Sequence, residues 1–260
     1  MQHSKHVVCG ALPRRSAIGD ASVGRMPVTI GVQGKRCRGK CLRARAIRAA
    51  TLGPCYGFWP TLFWGATAIA VPTALAAFWY QFVLRADPAL NDAMWIVANL
   101  GTVIVVAGAI RFKGWNIVDY FGLTVPTRLH VLLGITSATC LLLVQLAIGN
   151  STKSWFVSPV TNLEPVYLLS ILVVAPVTEE LLMRGFMYTG FARSVIGSSG
   201  AILLLAVLFS FLHVTPDFWH FCSGLLYGWL RWRTSSVTVP ILAHAAKNLG
   251  ILIFAMHGFI

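Results

Sequence analysis

The sequence predicts an all-α membrane protein, a helical bundle with about seven transmembrane helices. Three observations predict it. Hydrophobic residues fill 57% of the 260 positions and charged residues only 11%, where a soluble domain carries about 25% charged residues. The mean hydropathy is +0.72. Apolar runs long enough to span a bilayer recur along the chain, and the first runs from Ala49 to Leu84 without one charge. The same composition excludes a disordered chain. Six scattered cysteines do not make a disulfide scaffold.

Residues 1–52 form a basic N-terminal tail. Positions 1–50 hold eleven of the 21 Lys and Arg against one acid, Asp20, so most of the net charge of +13 belongs there. The tail has no long apolar run and is predicted to be disordered. Its charge suits a cytoplasmic tail, a transit peptide, anionic lipid headgroups, or nucleic acid without specificity. Cys37 and Cys41 have no second ligand pair at metal-binding spacing, so no zinc site is predicted there.

Residues 53–260 form the transmembrane helical domain. Spans are predicted at 58–84, 93–110, 129–149, 165–192, 200–214, 218–231 and 237–260. Pro60 marks the start of the first and Pro72 a kink within it. The fifth and sixth are short for a bilayer. Cys140 and Cys222 fall in apolar runs and are predicted in the core. With the tail inside, the inner loops carry Arg111, Lys113, Arg128, Arg193, Arg231 and Arg233, and the outer loops Arg85 and Lys153. That bias predicts a cytoplasmic N-terminus in a multi-pass integral membrane protein, with the C-terminus outside.

The informative residues are polar groups within these runs, because each is expensive in hydrocarbon unless partnered. The fourth span carries Glu179, Glu180 and Arg184. Glu180 and Arg184 are four apart and share a helix face, so they can form an ion pair. Glu179 is turned about 100° away and is left over. A buried carboxylate without a cation has the profile of a general base or proton carrier. The plainer alternative is that Arg184 stabilises both acids and the cluster only locks helices together. The fifth span carries Phe209 and His213, and a single His near a helix end is more often structural. The seventh carries His244 and Asn248, again four apart, which suit an oxyanion, a metal or a pair of interhelical hydrogen bonds. Lys247 lies beside them on another face and has no predicted place. Glu179 and His213 fall at similar depth and His244 at about half of it, so one intramembrane cavity can hold all three clusters if the last helix is tilted or starts a turn away.

Taken together, Glu179-Glu180-x-x-x-Arg184, then Phe209-x-x-x-His213, then His244-x-x-x-Asn248 resemble the CAAX-processing and bacteriocin-processing (CPBP, or Abi) family of intramembrane endopeptidases. The resemblance covers roughly residues 93–260, with a motif-bearing core at 165–260. It implies glutamate-dependent proteolysis of a peptide or protein at the bilayer, with prenylated and bacteriocin-like substrates both compatible. Carried over, Glu179 activates water and His213 helps to hold it. His244 and Asn248 form the oxyanion site, and Glu180 with Arg184 orients Glu179. The family has also been discussed as metalloenzymes, which makes Glu179, His213 and His244 the candidate ligands of a Zn2+ ion with an open position for water. If bacterial, the chain is expected in the plasma or inner membrane.

Two rivals remain at this stage. Gly197-Ser198-Ser199-Gly200 with His244 matches a serine intramembrane protease, but it leaves Glu179, Glu180 and Arg184 unused. A non-catalytic membrane protein, either an immunity or scaffold protein or a proton-coupled transporter, would also bury Glu, His and Lys. Clustering of the polar groups at one depth favours a site over a path across the bilayer.

Overall fold

The computed structural model describes residues 55–82, 88–148, 164–213 and 217–257. The basic tail with Cys37 and Cys41, and the loop positions Arg85 and Lys153, lie outside the described residues. Among the described residues every regular element is helical. The helices are α1 (Phe58–Phe82), α2 (Pro88–Phe112), the short α3 (Ile117–Phe121), α4 (Arg128–Ala147), α5 (Pro165–Ala192), α6 (Gly197–Phe211), α7 (Phe218–Thr234) and α8 (Thr238–Met256). A helix lies at each of the seven predicted positions. The eighth helix, α3, was not predicted.

Local chemistry explains the helix ends. Asn116 and Thr127 accept the backbone N–H of Asp119 and His130 and so cap α3 and α4. Gly122 closes α3 at φ 70°, where a side chain would be strained. Pro165 opens α5 at the first helical position, where its missing N–H costs nothing. Asp217 caps α7 through the N–H of His220 at 2.7 Å. Pro72 lies inside α1.

The segments Phe58–Trp79, Ala93–Phe112, Arg128–Ala147, Pro165–Ala192 and Thr238–Met256 are long and apolar enough to cross a membrane. Helix α6 is shorter, and α7 ends on Arg231 and Arg233. The chain is an integral, multi-pass membrane protein. Its outer surface is apolar: Phe63, Ile104 and Leu129 stand 63%, 70% and 73% exposed. In lipid such exposure is the favourable arrangement. That corrects one expectation: Cys140 is exposed, not in the core, because an apolar run in a membrane helix has an outer face as well as an inner one. Cys222 is only half-buried.

Helix α5 is central and touches α1, α2, α3, α6, α7 and α8. Around it α1 packs on α2, α6 on α7 and α4 on α8. α6 and α7 meet closely at Gly224, where a Cβ would fall 2.7 Å from the Ala206 Cα. Only glycine permits that approach.

Helix α5 is not uniform. Two π-helical stretches, Ser170–Val174 and Leu181–Met187, flank the α-helical stretch Ala175–Glu180. Such stretches are rare and loosen the backbone hydrogen-bond ladder. Each has a carbonyl taken by another helix. Asn248 Nδ2 on α8 donates to the Ile171 carbonyl at 2.9 Å. Arg231 Nε on α7 donates to the Arg184 carbonyl at 3.0 Å. Arg231 is therefore buried, where the sequence reading counted it among the loop cations. The freed backbone acceptor inside the bundle explains its position.

Candidate active site

Glu179 and Glu180 end the short α-helical stretch of α5, and adjacency sends them to different surroundings. Glu180 and Arg184 are both fully buried, with Arg184 Nη1 donating to Glu180 Oε1 at 3.0 Å. Arg184 Nη2 also donates to the Gly224 carbonyl at 3.1 Å. The guanidinium lies 4.6 Å from the centre of the Phe209 ring, which adds a cation–π attraction. His244 Nδ1 meets the same Glu180 Oε1 at 3.1 Å. One carboxylate oxygen thus joins α5 to itself and to α8. Desolvation of such a pair costs several kcal/mol per ion, and these partners offset part of it, since Glu180 Oε2 and Arg184 Nε are buried without a hydrogen bond.

Glu179 has no such partners. Its Oε2 is buried without a hydrogen bond. The side chain lines a cavity of about 260 Å3 together with His213, His244 and Asn248. All three sequence clusters therefore reach one cavity. Glu180 and Arg184 stand behind it and do not line it. His213 Nδ1 meets the Phe209 carbonyl at 2.6 Å. A carbonyl only accepts, so Nδ1 carries the proton and Nε2 is the basic nitrogen of the neutral ring. His213 stacks on His220 at 4.0 Å, and His220 Nδ1 meets Asp217 Oδ1 at 2.7 Å. His244 stacks on Tyr227 at 5.0 Å.

Several cavity residues escaped the sequence reading, among them His220, Tyr227, Trp219 and Gln145. For His220 a signal existed: Asp217-x-x-His220 has the spacing of a helix cap followed by a paired side chain. Lys247 now has a place. It is buried on the cavity wall, and its Nζ donates to Ser223 Oγ at 2.7 Å.

Ser198 and Ser199 do not line the cavity, and His244 is held by Glu180, so the serine-protease constellation is not assembled. Among the described residues no group of three or more His, Cys, Asp or Glu is arranged to hold a metal ion. Glu179, His213 and His244 share the cavity without forming such a set.

Glu179, Phe209 and His213 also line a second cavity of about 350 Å3, walled by Trp95, Thr102, Leu182 and Leu212. Ala98 also lines a third, about 460 Å3 and apolar, between α1 and α2. The acid and the imidazole therefore line both the first and the second cavity, and the apolar third lies beyond the second on the side of α1 and α2.

The fold and site are those of a multi-pass membrane protein with a polar chamber at its centre. Residues 161–250 match the family model for Rce1-like, Type II CAAX prenyl endopeptidase Rce1-like proteins. The matched segment contains every residue of the three motifs, and it upholds the resemblance read from them. The likeness is therefore to a family of CAAX-type endopeptidases, which act on peptides or proteins. No curated protein and no solved structure matches the chain.

Proposed function

We propose that this chain is an intramembrane endopeptidase that cleaves a prenylated, CAAX-like C-terminal peptide with water activated by Glu179. One observation carries the reading: a buried Glu179 carboxylate oxygen without a partner, on a wall shared by two cavities. The lipid would lie in the apolar chamber and the peptide would cross to the polar one.

In the reaction Glu179 takes a proton from a water molecule that His213 Nε2 helps to hold. The hydroxide adds to the scissile carbonyl carbon. The resulting oxyanion accepts hydrogen bonds from His244 Nε2–H and from the second N–H of the Asn248 amide, the first being given to Ile171. His244 then carries protons on both nitrogens, since Nδ1–H is given to Glu180. With Glu179 and Glu180 negative and Arg184 and His244 positive, the four groups are neutral together. The C–N bond breaks as Glu179 returns its proton to the leaving amine. The pair of Glu180 and Arg184 is a positioning device, acting through His244 and through α5.

The test is hydrolysis of a fluorogenic farnesylated CAAX tetrapeptide by the purified full-length protein in liposomes. Glu179→Gln is expected to lower the rate by about 10²–10⁴-fold while elution profile and melting temperature hold. A wild-type rate from that variant sinks the assignment of the base. Cleavage of a bacteriocin-like precursor in place of the prenylated peptide would move the substrate and leave the mechanism.

A further inference from the structure

The mechanism above leaves unused part of the polar chamber, and that part is out of balance. Lys247, on α8, is buried in the wall. Its Nζ gives one N–H to Ser223 Oγ at 2.7 Å, and Ser223 passes its own proton to the Trp219 carbonyl at 2.8 Å. Among the described residues no carboxylate lies within ion-pair distance of that ammonium. Asp217, the other acid on the wall, is engaged by the ring of His220 and by its backbone N–H, each at 2.7 Å. One helical turn before Ser223, the indole Nε1 of Trp219 is buried on the same wall and has no acceptor. Across the chamber Gln145 Oε1, on α4, is buried and has no donor.

An ammonium away from water and without a counter-ion is costly. So is a buried indole N–H with no acceptor. Two such donors on one chamber call for an anion with lone pairs to spare, and a carboxylate is the group that meets both. The direction of the chamber says which carboxylate. Glu179 and His213 also line the second cavity, on the side of the apolar one between α1 and α2, so a peptide whose lipid lies on that side runs its remaining residues toward Lys247.

We infer that Lys247, with the indole of Trp219, receives the free C-terminal carboxylate of the peptide substrate, so that the chain reads the end of the peptide as well as its lipid. Gln145 Oε1 is suited to accept a backbone N–H of the same terminal residues. This rests on the endopeptidase reading above and adds to it a measured end.

The experiment compares a farnesylated tetrapeptide bearing a free C-terminal carboxylate with the same peptide as its C-terminal amide. Wild-type protein is expected to prefer the acid in kcat/KM by about tenfold or more, the scale of a hydrogen bond to a charged group. Lys247→Met should cut turnover of the acid to that of the amide and leave the amide little changed. Trp219→Phe, which removes the N–H and keeps an aromatic ring of smaller size, should reduce the preference in part. Equal treatment of acid and amide by the wild type overturns the inference without recourse to any variant. So does a preference that survives Lys247→Met. Binding of both peptides to the Glu179→Gln protein separates this inference from the reading it rests on. Acid-selective binding without wild-type turnover sinks the protease and keeps the carboxylate pocket. Turnover without acid selectivity does the reverse.

Discussion

The hairpin of α1 and α2 and the interior formed by α5 to α8 belong to the same bundle, yet they are held together differently. Helix α1 contains no charged residue. It meets α2 through small side chains, with Ala68 and Ala98 buried and Thr102 Oγ1 donating to the Ala68 carbonyl at 2.9 Å. Lipid is as apolar as leucine, so such a contact rests on shape and a few hydrogen bonds. The interior instead buries Glu180, Arg184, His244 and Lys247. There Glu180 joins Arg184 and His244, and Lys247 is tied to Ser223. The difference teaches that the hairpin is adapted to being adjacent, while the interior is adapted to being in one arrangement only.

Three substitutions break or sharpen that contrast. Arg184→Ala strands Glu180 against His244 alone and is expected to cost about 3–5 kcal/mol, read as a large drop in yield and melting temperature in detergent. An unchanged melting temperature would show that the interior is held by shape after all. Gly224→Ala drives a methyl into Ala206 and is expected to cost about 1–3 kcal/mol, visible in the same thermal assay. Thr102→Val, in the hairpin, removes one interhelical hydrogen bond and is expected to cost about 0.6 kcal/mol. A loss there as large as that of Arg184→Ala would erase the contrast.

The long helices were legible because their apolar runs are broken only by loops. Helix α3 was not, since five residues carry no periodicity; Asn116 before it and Gly122 after it were its only marks. Depth along each helix matched Glu179 with His213 but placed His244 shallower, so it allowed their convergence with Asn248 without fixing it. Which acid His244 meets was not, because a one-dimensional pattern does not say how far α8 is turned about its axis. Lys247 was unreadable for the same reason: its place depends on Ser223 and Trp219, which look like ordinary members of an amphipathic helix. The two π-helical stretches leave no trace in residue type at all.

Those stretches have a consequence for how the first motif is set. A turn of π-helix holds about one residue more than a turn of α-helix, so Ser170–Val174 fixes the rotational phase of everything after it in α5. Restoring α geometry there with the extra residue kept in the chain would swing Glu179 around the helix by about 100°, off the wall it shares between the two cavities. The Ile171 carbonyl held by Asn248 is the latch on that phase. A residue of the third motif thereby governs the compass bearing of the first, through the backbone and without touching its carboxylates.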